Sequence, residues 1–278
     1  MRKITHFRTI RALRAVFAAL AIVLALDVFP VLAVGDASVT AAAEQEPEAK
    51  AILFKMADVI AKAPAFAVTI RSGYDAIQAD GQRIEFGEKR RILLNRPNQL
   101  RVDSERSDGE QGLLLFDGTE ITIFKADENV YSRAKKPGTV DEILVYLVRD
   151  LQVTMPMARL LLTDFPQQLE KRMLEISYVE EDTRFNVPTD HLALRSAEVD
   201  MQIWVAKGDK PLPQRIILTY KNAPGEPQYW ADFFKWSISP AINDDEFTFT
   251  PPAGAEQIPI LAPIRRKGSI PVEKGGNQ

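Results

Sequence analysis

Short turns between runs of alternating apolar and polar residues are the feature that most constrains the fold. From Ala65 the period is two, because Phe66, Val68 and Ile70 alternate with small or polar residues. Asp-Gly pairs then supply tight turns at 80–81, 108–109 and 117–118. Strands joined by such short turns pair antiparallel, since parallel pairing needs a long crossover. The sequence therefore predicts an antiparallel meander up to Val130-Tyr131. Further strands are predicted near 174–180, 191–196, 199–205, 213–221, 227–238 and 246–250.

Helical patterns precede and interrupt these strands. Pro47 suits the first turn of a helix, and Pro64 ends the apolar 3.6-residue spacing that follows it. Thr139 and Glu142 have the spacing of a capping box, with Thr139 as the N-cap. Two shorter helical segments are predicted at 157–162 and 166–173. These elements predict an α+β protein in which two to four helices cover or plug a strongly bent antiparallel sheet.

The N-terminal segment 1–33 has the features of a secretory signal peptide. A basic stretch precedes the apolar run 15–26, and small residues follow it. Cleavage is predicted after Ala33, with Ala37 and Ala41 as alternatives. The apolar run is too short for a span of about 20 residues, and extending it into an uncleaved anchor would place Asp27 in hydrocarbon at a high cost. We therefore expect an exported protein with no stable membrane span after cleavage.

The composition of the chain favours one cellular compartment and argues against one class of partner. The segment 1–33 carries five basic residues and one acidic residue, so its removal makes the chain more acidic than its formal net charge of −3. An acidic chain is not expected to bind nucleic acid. The chain has no cysteine, so an exported form must be stabilised by its core without disulfides, which favours a bacterial periplasm. We expect a monomer.

The predicted organisation has one folded unit. Residues 34–46 are expected to form a flexible lead-in, and residues 47–258 a single half-barrel domain. Residues 259–278 are rich in proline, glycine and charge, so they are predicted to be a disordered tail.

Candidate catalytic residues are few. His191 is the one histidine after the signal peptide, and it follows Asp190, so the two could form a base and its orienting carboxylate. However, the sequence has neither a Gly-x-Ser-x-Gly elbow nor a cysteine nucleophile. A structural histidine is the favoured interpretation. No metal site, cofactor or enzymatic activity is predicted.

Aromatic residues are concentrated on the strand predicted at 227–238. Strict alternation places Trp230, Phe234 and Trp236 on one face and Tyr229 and Phe233 on the other. Both faces are then apolar, which fits either a sheet covered by helices or a sheet with an apolar cavity. If a cavity exists, its predicted lining residues are Leu53, Met56, Trp204, Trp230, Phe234 and Trp236. The alternative is that these six residues are ordinary core.

Several segments resemble a bacterial family of predicted periplasmic proteins of unknown function. They are Asp-His-Leu-Ala-Leu-Arg (190–195), Asp-Met-Gln-Ile-Trp-Val-Ala-Lys-Gly-Asp-Lys-Pro-Leu-Pro (200–213) and Phe-Thr-Phe-Thr-Pro-Pro-Ala-Gly-Ala (247–255). Upstream, Arg-Pro-Asn-Gln-Leu-Arg (96–101) fits the same family. The element order is more distantly similar to the LolA/LolB-like lipoprotein carriers. That similarity implies an incomplete barrel plugged by helices, with a concave apolar surface that holds acyl chains.

Three functional hypotheses follow. The first is a periplasmic binding or carrier protein for an apolar ligand, either a lipid or the acyl chain of a lipoprotein. The second is an envelope regulatory or protein-interaction module without a ligand cavity. The third and weakest is a hydrolase that uses Asp190 and His191.

Overall fold

The structure, a computed structural model, describes residues 37–260 apart from residues 152, 154 and 244. The predicted signal peptide at 1–33 and most of the predicted tail at 259–278 lie outside the described residues. The helices and helical turns follow in chain order. They are α1 (Ala37–Lys62), α2 (Val140–Val145), a π-helical turn (Tyr146–Asp150), a 3-10 turn (Ala158–Leu161) and α3 (Phe165–Arg172).

Helix α1 begins earlier than the sequence predicted. It starts at Ala37, so most of the segment predicted as a flexible lead-in is helical, and Pro47 lies inside the helix. Alanine, glutamate and glutamine before Pro47 are strong helix formers, which explains the extension. Within residues 37–260, no helix has both the length and the apolar composition of a membrane span.

The capping box of α2 is confirmed. The backbone N–H of Glu142 donates to the Thr139 hydroxyl at 3.3 Å, and the Thr139 N–H donates to the Glu142 carboxylate at 2.7 Å. These bonds satisfy backbone donors that would otherwise lack a partner at the helix start. They begin the helix directly after strand β6 (Val130–Lys135) and its connecting turn.

The described strands form one twelve-stranded open sheet. In chain order they are β1 (Ala65–Ile77), β2 (Arg83–Asn95), β3 (Gln99–Arg106), β4 (Gln111–Phe116), β5 (Glu120–Lys125), β6 (Val130–Lys135), β7 (Glu175–Asp182), β8 (Thr189–Arg195), β9 (Val199–Ala206), β10 (Pro213–Tyr220), β11 (Gln228–Ile238) and β12 (Glu256–Gln257). The spatial order is β12-β6-β5-β4-β3-β2-β1-β11-β10-β9-β8-β7. Strand β1 therefore joins two meanders, and the ends do not meet. The predicted α+β class with an incomplete, curled antiparallel barrel is confirmed.

One face of the sheet, which we call the concave face, carries the main core. Helix α1 crosses the β7–β9 end of this face, and α3 packs against α1. The largest fully buried side chains come from both the helices and the sheet; they include Phe66, Phe116, Leu53, Met56, Ile60, Leu94, Leu100, Ile143 and Leu147. Burial of this apolar surface between two layers is the principal stabilising contribution to the fold.

The opposite, convex face is covered at one end by the C-terminal strap, residues 245–260. Phe247 is buried with Leu93 and Leu115 in a second, smaller core. The strand predicted at 246–250 is therefore wrong, because this segment docks through side chains instead of pairing in the sheet. The chain rejoins the sheet only as the two-residue strand β12, which runs parallel to β6.

The strap should contribute measurably to stability. We expect Phe247→Ala to lower the free energy of unfolding by about 3–5 kcal/mol, because it empties a buried aromatic site. Urea titration followed by circular dichroism measures this. The matched control is Phe234→Ala on the same face, where 41% of the residue is exposed and the expected loss is below about 1 kcal/mol. A loss for Phe247→Ala as small as that expected for the control would show that the strap does not stabilise the sheet.

Candidate functional site

An apolar space lies between the concave face and the segment Met155–Leu162, which we call the plug segment. Its walls come from strands β1, β2, β3 and β11 on one side and the plug segment on the other. The lining residues are Phe66, Val68, Ile70, Arg90, Ile92, Val102, Met155, Pro156, Met157, Ala158, Leu160, Leu161, Tyr229 and Trp236. The enclosed volume is about 30 Å³. Ligand pockets commonly reach about 300–1,000 Å³, so the site is closed in this conformation.

Arg96, at the turn between β2 and β3, holds the plug segment in place. Its guanidinium donates to the carbonyl oxygens of Leu161 in the plug segment (2.9 Å) and Ala63 after α1 (3.1 Å). It also lies 3.5 Å from the carboxylate of Asp141 in α2. Burial lowers the pKa of Arg96, and the charge of Asp141 opposes this shift. One largely buried cation therefore joins two helices, the sheet and the plug segment.

Asp141 makes the second connection to the plug segment. Its carboxylate accepts a hydrogen bond from the backbone N–H of Thr163 at 3.1 Å and another from the Thr163 hydroxyl. Arg96 and Asp141 thus fix the C-terminal end of the plug segment from both sides.

Nearer the other end of the plug segment, Met157 has a φ of 67°. This left-handed backbone conformation costs a residue with a side chain about 1–2 kcal/mol, which the surrounding contacts must offset.

The concave face continues beyond the cavity as an exposed surface. On β1 the residues of this face run from Val68 and Ile70 through Ser72 to Tyr74, which pairs with Phe86 on β2. Tyr74 is 44% exposed and Phe86 is 39% exposed, and their rings stack at 5.8 Å. The apolar face therefore extends from the closed cavity to solvent.

Trp236 lines the cavity, but on a different face from the one predicted. Its ring lies 5.6 Å from Phe66 and 5.8 Å from Phe233, measured between centroids. A bulge separates it from Phe234, because the pairing of β1 with β11 shifts there and Lys235 has a φ of 52°. The extra residue turns Trp236 to the concave face. Strict alternation, which placed it with Trp230 and Phe234, was wrong at this point.

Trp230 and Phe234 lie on the convex face, away from the cavity. The indole of Trp230 lies across Gly73, where a Cβ would come within 2.5 Å of its Nε1. Its Nε1 donates to Glu85 at 2.8 Å, and the Arg215 guanidinium lies 5.4 Å from its ring centre. This arrangement gives Trp230 a packing role on the sheet surface.

Trp204 is also on the convex face and is buried. It stacks on His191 at 4.0 Å, and its Nε1 donates to the carboxylate of Asp182 at 3.0 Å. Bonds from Arg184 hold the pKa of Asp182 well below its usual range, and the Trp204 bond acts in the same direction. Trp204 therefore anchors the end of β7 to β9 rather than lining the cavity.

Asp190 and His191 do not form a catalytic pair. They are neighbours on β8, so their side chains point to opposite faces. His191 contacts the Gln202 amide at 3.1 Å, whereas Asp190 accepts from the Tyr178 hydroxyl at 3.3 Å. The hydrolase hypothesis therefore lacks the geometry of a base and its orienting carboxylate, and His191 packs against Trp204 within the sheet. Across the part of the chain that the structure describes, no cluster of three metal-ligating side chains occurs.

Leu53 and Met56 lie on the buried side of α1, in the core, and do not line the cavity. Of the six residues predicted to line a cavity, the structure brings only Trp236 to this one. Sequence reasoning missed Arg90, Arg96 and the two methionines of the plug segment. The closely spaced Met155 and Met157 were a usable signal, since methionine is common on adaptable binding surfaces.

Comparison with known proteins places the chain in a family context. The family model described as predicted periplasmic protein (DUF2092) matches residues 49–261. No protein of curated function matches the chain significantly. Solved structures show distant similarity, and three of them illustrate it.

The lipoprotein LppX of Mycobacterium tuberculosis is 12% identical with a TM-score of 0.45, covering 72% of this chain and 100% of that one. A LolA superfamily protein of Nitrosomonas europaea is 13% identical with a TM-score of 0.37, covering 72% and 97%. The MucA/MucB complex of Pseudomonas aeruginosa gives 16% identity and a TM-score of 0.41, covering 73% of this chain and 61% of the matched chain.

Loss of the Arg96 contacts should loosen the plug segment selectively. We expect Arg96→Gln to cost about 2–3 kcal/mol of stability, because it removes charge-assisted bonds to buried acceptors. Hydrogen exchange read by mass spectrometry should show faster exchange in Met155–Leu162. Arg101→Gln is the control, because the Arg101 guanidinium donates to the backbone carbonyl oxygen of Glu246 in the strap at 3.0 Å. If both variants leave exchange in the plug segment unchanged, Arg96 does not control it.

Proposed function

Because the chain belongs to the DUF2092 family of predicted periplasmic proteins, we propose that it is a non-catalytic binding or carrier protein for an apolar ligand. The ligand class is a lipid or the acyl chain of a lipoprotein. The periplasmic location agrees with the signal peptide predicted at 1–33. An acyl chain needs a water-free path, and the concave face is the surface that would provide it.

The apolar character of the cavity and of the face around it supports this proposal. The lining of the closed cavity is almost entirely apolar, and the same face reaches solvent at Tyr74 and Phe86. Exposed aromatic residues that continue a buried apolar surface are typical of a binding groove. Met155 and Met157 supply flexible thioether side chains that adapt to an irregular chain.

Entry of a ligand requires the plug segment to move. The enclosed space of about 30 Å³ corresponds to roughly one water molecule, far less than an acyl chain. The plug segment is attached at its C-terminal end by Arg96 and Asp141 and has a strained backbone at Met157. Lifting it would expose Val68 and Ile70, which Ser72 separates from Tyr74 along β1.

The second candidate function is a protein-interaction module of the envelope. It is favoured by the small enclosed volume and by the outer edge of β7, where Val179 is half exposed. Unpaired strand edges can accept a peptide strand. This function would leave the cavity closed and would not depend on Trp236.

Tryptophan fluorescence distinguishes the two functions. The chain has three tryptophans, so the double variant Trp204→Phe/Trp230→Phe leaves Trp236 as the sole reporter in the cavity. We expect a fatty acid brominated along its chain to quench this fluorescence in a saturable way, because bromine quenches indole at near contact.

The matched control is Trp230→Phe/Trp236→Phe, which leaves Trp204 on the convex face. Its fluorescence should stay unchanged over the same titration, and thermal unfolding should show both variants to be folded. Quenching that is absent, or equal in the two variants, would contradict binding of the chain at the concave face.

A further inference from the structure

Among the described residues that line the cavity, Arg90 is the charged one, and the others are almost all apolar. It lies on β2 on the concave face, paired with Ile70, one step from the buried Ile92. Its side chain is 19% exposed and forms an ion pair with Glu88, two residues along the same strand. Burying a guanidinium destabilises the fold unless the charge has partners. The position of Arg90 at the cavity therefore needs a chemical explanation.

Two residues with hydroxyl groups follow Arg90 along the concave face towards Tyr74 and Phe86. Ser72 pairs with Glu88 across the strands and is buried. Tyr229 is buried on β11, the other neighbour of β1, and burial raises the pKa of its phenol. A phenol is protonated at neutral pH and can donate a hydrogen bond. Arg90, Ser72 and Tyr229 thus form a donor cluster on the concave face.

This cluster occupies a boundary along the concave face. On one side lie Val68 and Ile92, which are buried against the plug segment; on the other lie the exposed Tyr74 and Phe86. An amphiphile whose chain occupied the cavity would therefore place its polar end at the cluster. Donors and a positive charge at that point complement an anion.

We propose that the Arg90 cluster binds the carboxylate of a fatty acid whose chain lies under the plug segment. This inference rests on the proposed function and specifies its ligand class. Glu88 then acts as an internal competitor: it pairs with Arg90 in the closed state, and the ligand carboxylate replaces it. The competition stabilises the guanidinium when no ligand is bound.

The competition between Glu88 and the ligand predicts that substitutions at Arg90 and at Glu88 change dodecanoate affinity in opposite directions. Isothermal titration calorimetry with dodecanoate would measure these affinities. Arg90→Gln should weaken binding by about tenfold to a hundredfold, the effect of losing a charge-assisted bond in a partly buried site. Glu88→Gln should tighten binding severalfold, because it frees Arg90. Arg90→Lys, which keeps the charge and tests the site if Arg90→Gln folds poorly, should retain part of the affinity.

Two controls separate the head-group site from the chain site. Arg91→Gln removes the same charge from the opposite, exposed face of β2 and should leave dodecanoate affinity unchanged. Dodecan-1-ol has the same chain without the charge, so it should bind wild type and Arg90→Gln equally.

The outcomes are distinct. If dodecanoate binds but Arg90→Gln weakens it no more than Arg91→Gln, or if Glu88→Gln weakens it, the carboxylate site is overturned while the apolar-ligand function stands. If neither dodecanoate nor dodecan-1-ol binds wild type, the proposed function itself fails.

Discussion

The guanidinium of Arg96 is the interaction on which the arrangement around the cavity depends. It is largely buried, and its cost is offset by the carbonyl oxygens of Ala63 and Leu161 and by the carboxylate of Asp141. These acceptors belong to the end of α1, the plug segment and α2. Because Arg96 lies in the turn between β2 and β3, one side chain links α2, the plug segment and the residue after α1 to this edge of the sheet.

The two faces of the sheet differ in what their aromatic residues contact. On the convex face the aromatic residues have local partners: Trp230 covers Gly73, Trp204 stacks on His191, and Phe247 fills a small core of its own. These contacts account for the aromatic residues there through packing alone. On the concave face the apolar surface exceeds what the helices cover, and the excess runs from the cavity to Tyr74 and Phe86. The proposed binding function is therefore assigned to the concave face.

The sequence predicted the fold more fully than the site. Alternation and Asp-Gly turns predicted the meander, and the Thr139–Glu142 capping box predicted α2, because both are local signals. The bulge at Lys235 was not predictable from the pattern, since one inserted residue leaves the alternation of aromatic residues outwardly intact. Two other features depend on tertiary contacts, which spacing along the chain does not encode. They are the docking of Phe247 on Leu93 and the hydrogen bonds of Arg96 to carbonyl oxygens distant in sequence.

The proposed function requires the plug segment to open in the native protein and admit an acyl chain. Since the chain has no cysteine, one introduced thiol reports opening at its own position. Leu160 in the plug segment and Leu53 in α1 are both almost fully buried, so Leu160→Cys and Leu53→Cys are a matched pair. The most direct measurement is the rate of labelling of each thiol under native conditions. If the plug segment opens, Cys replacing Leu160 should react far faster than Cys replacing Leu53, and dodecanoate should change the rate at the first position alone. Equal, slow rates at both positions, unchanged by dodecanoate, would contradict it.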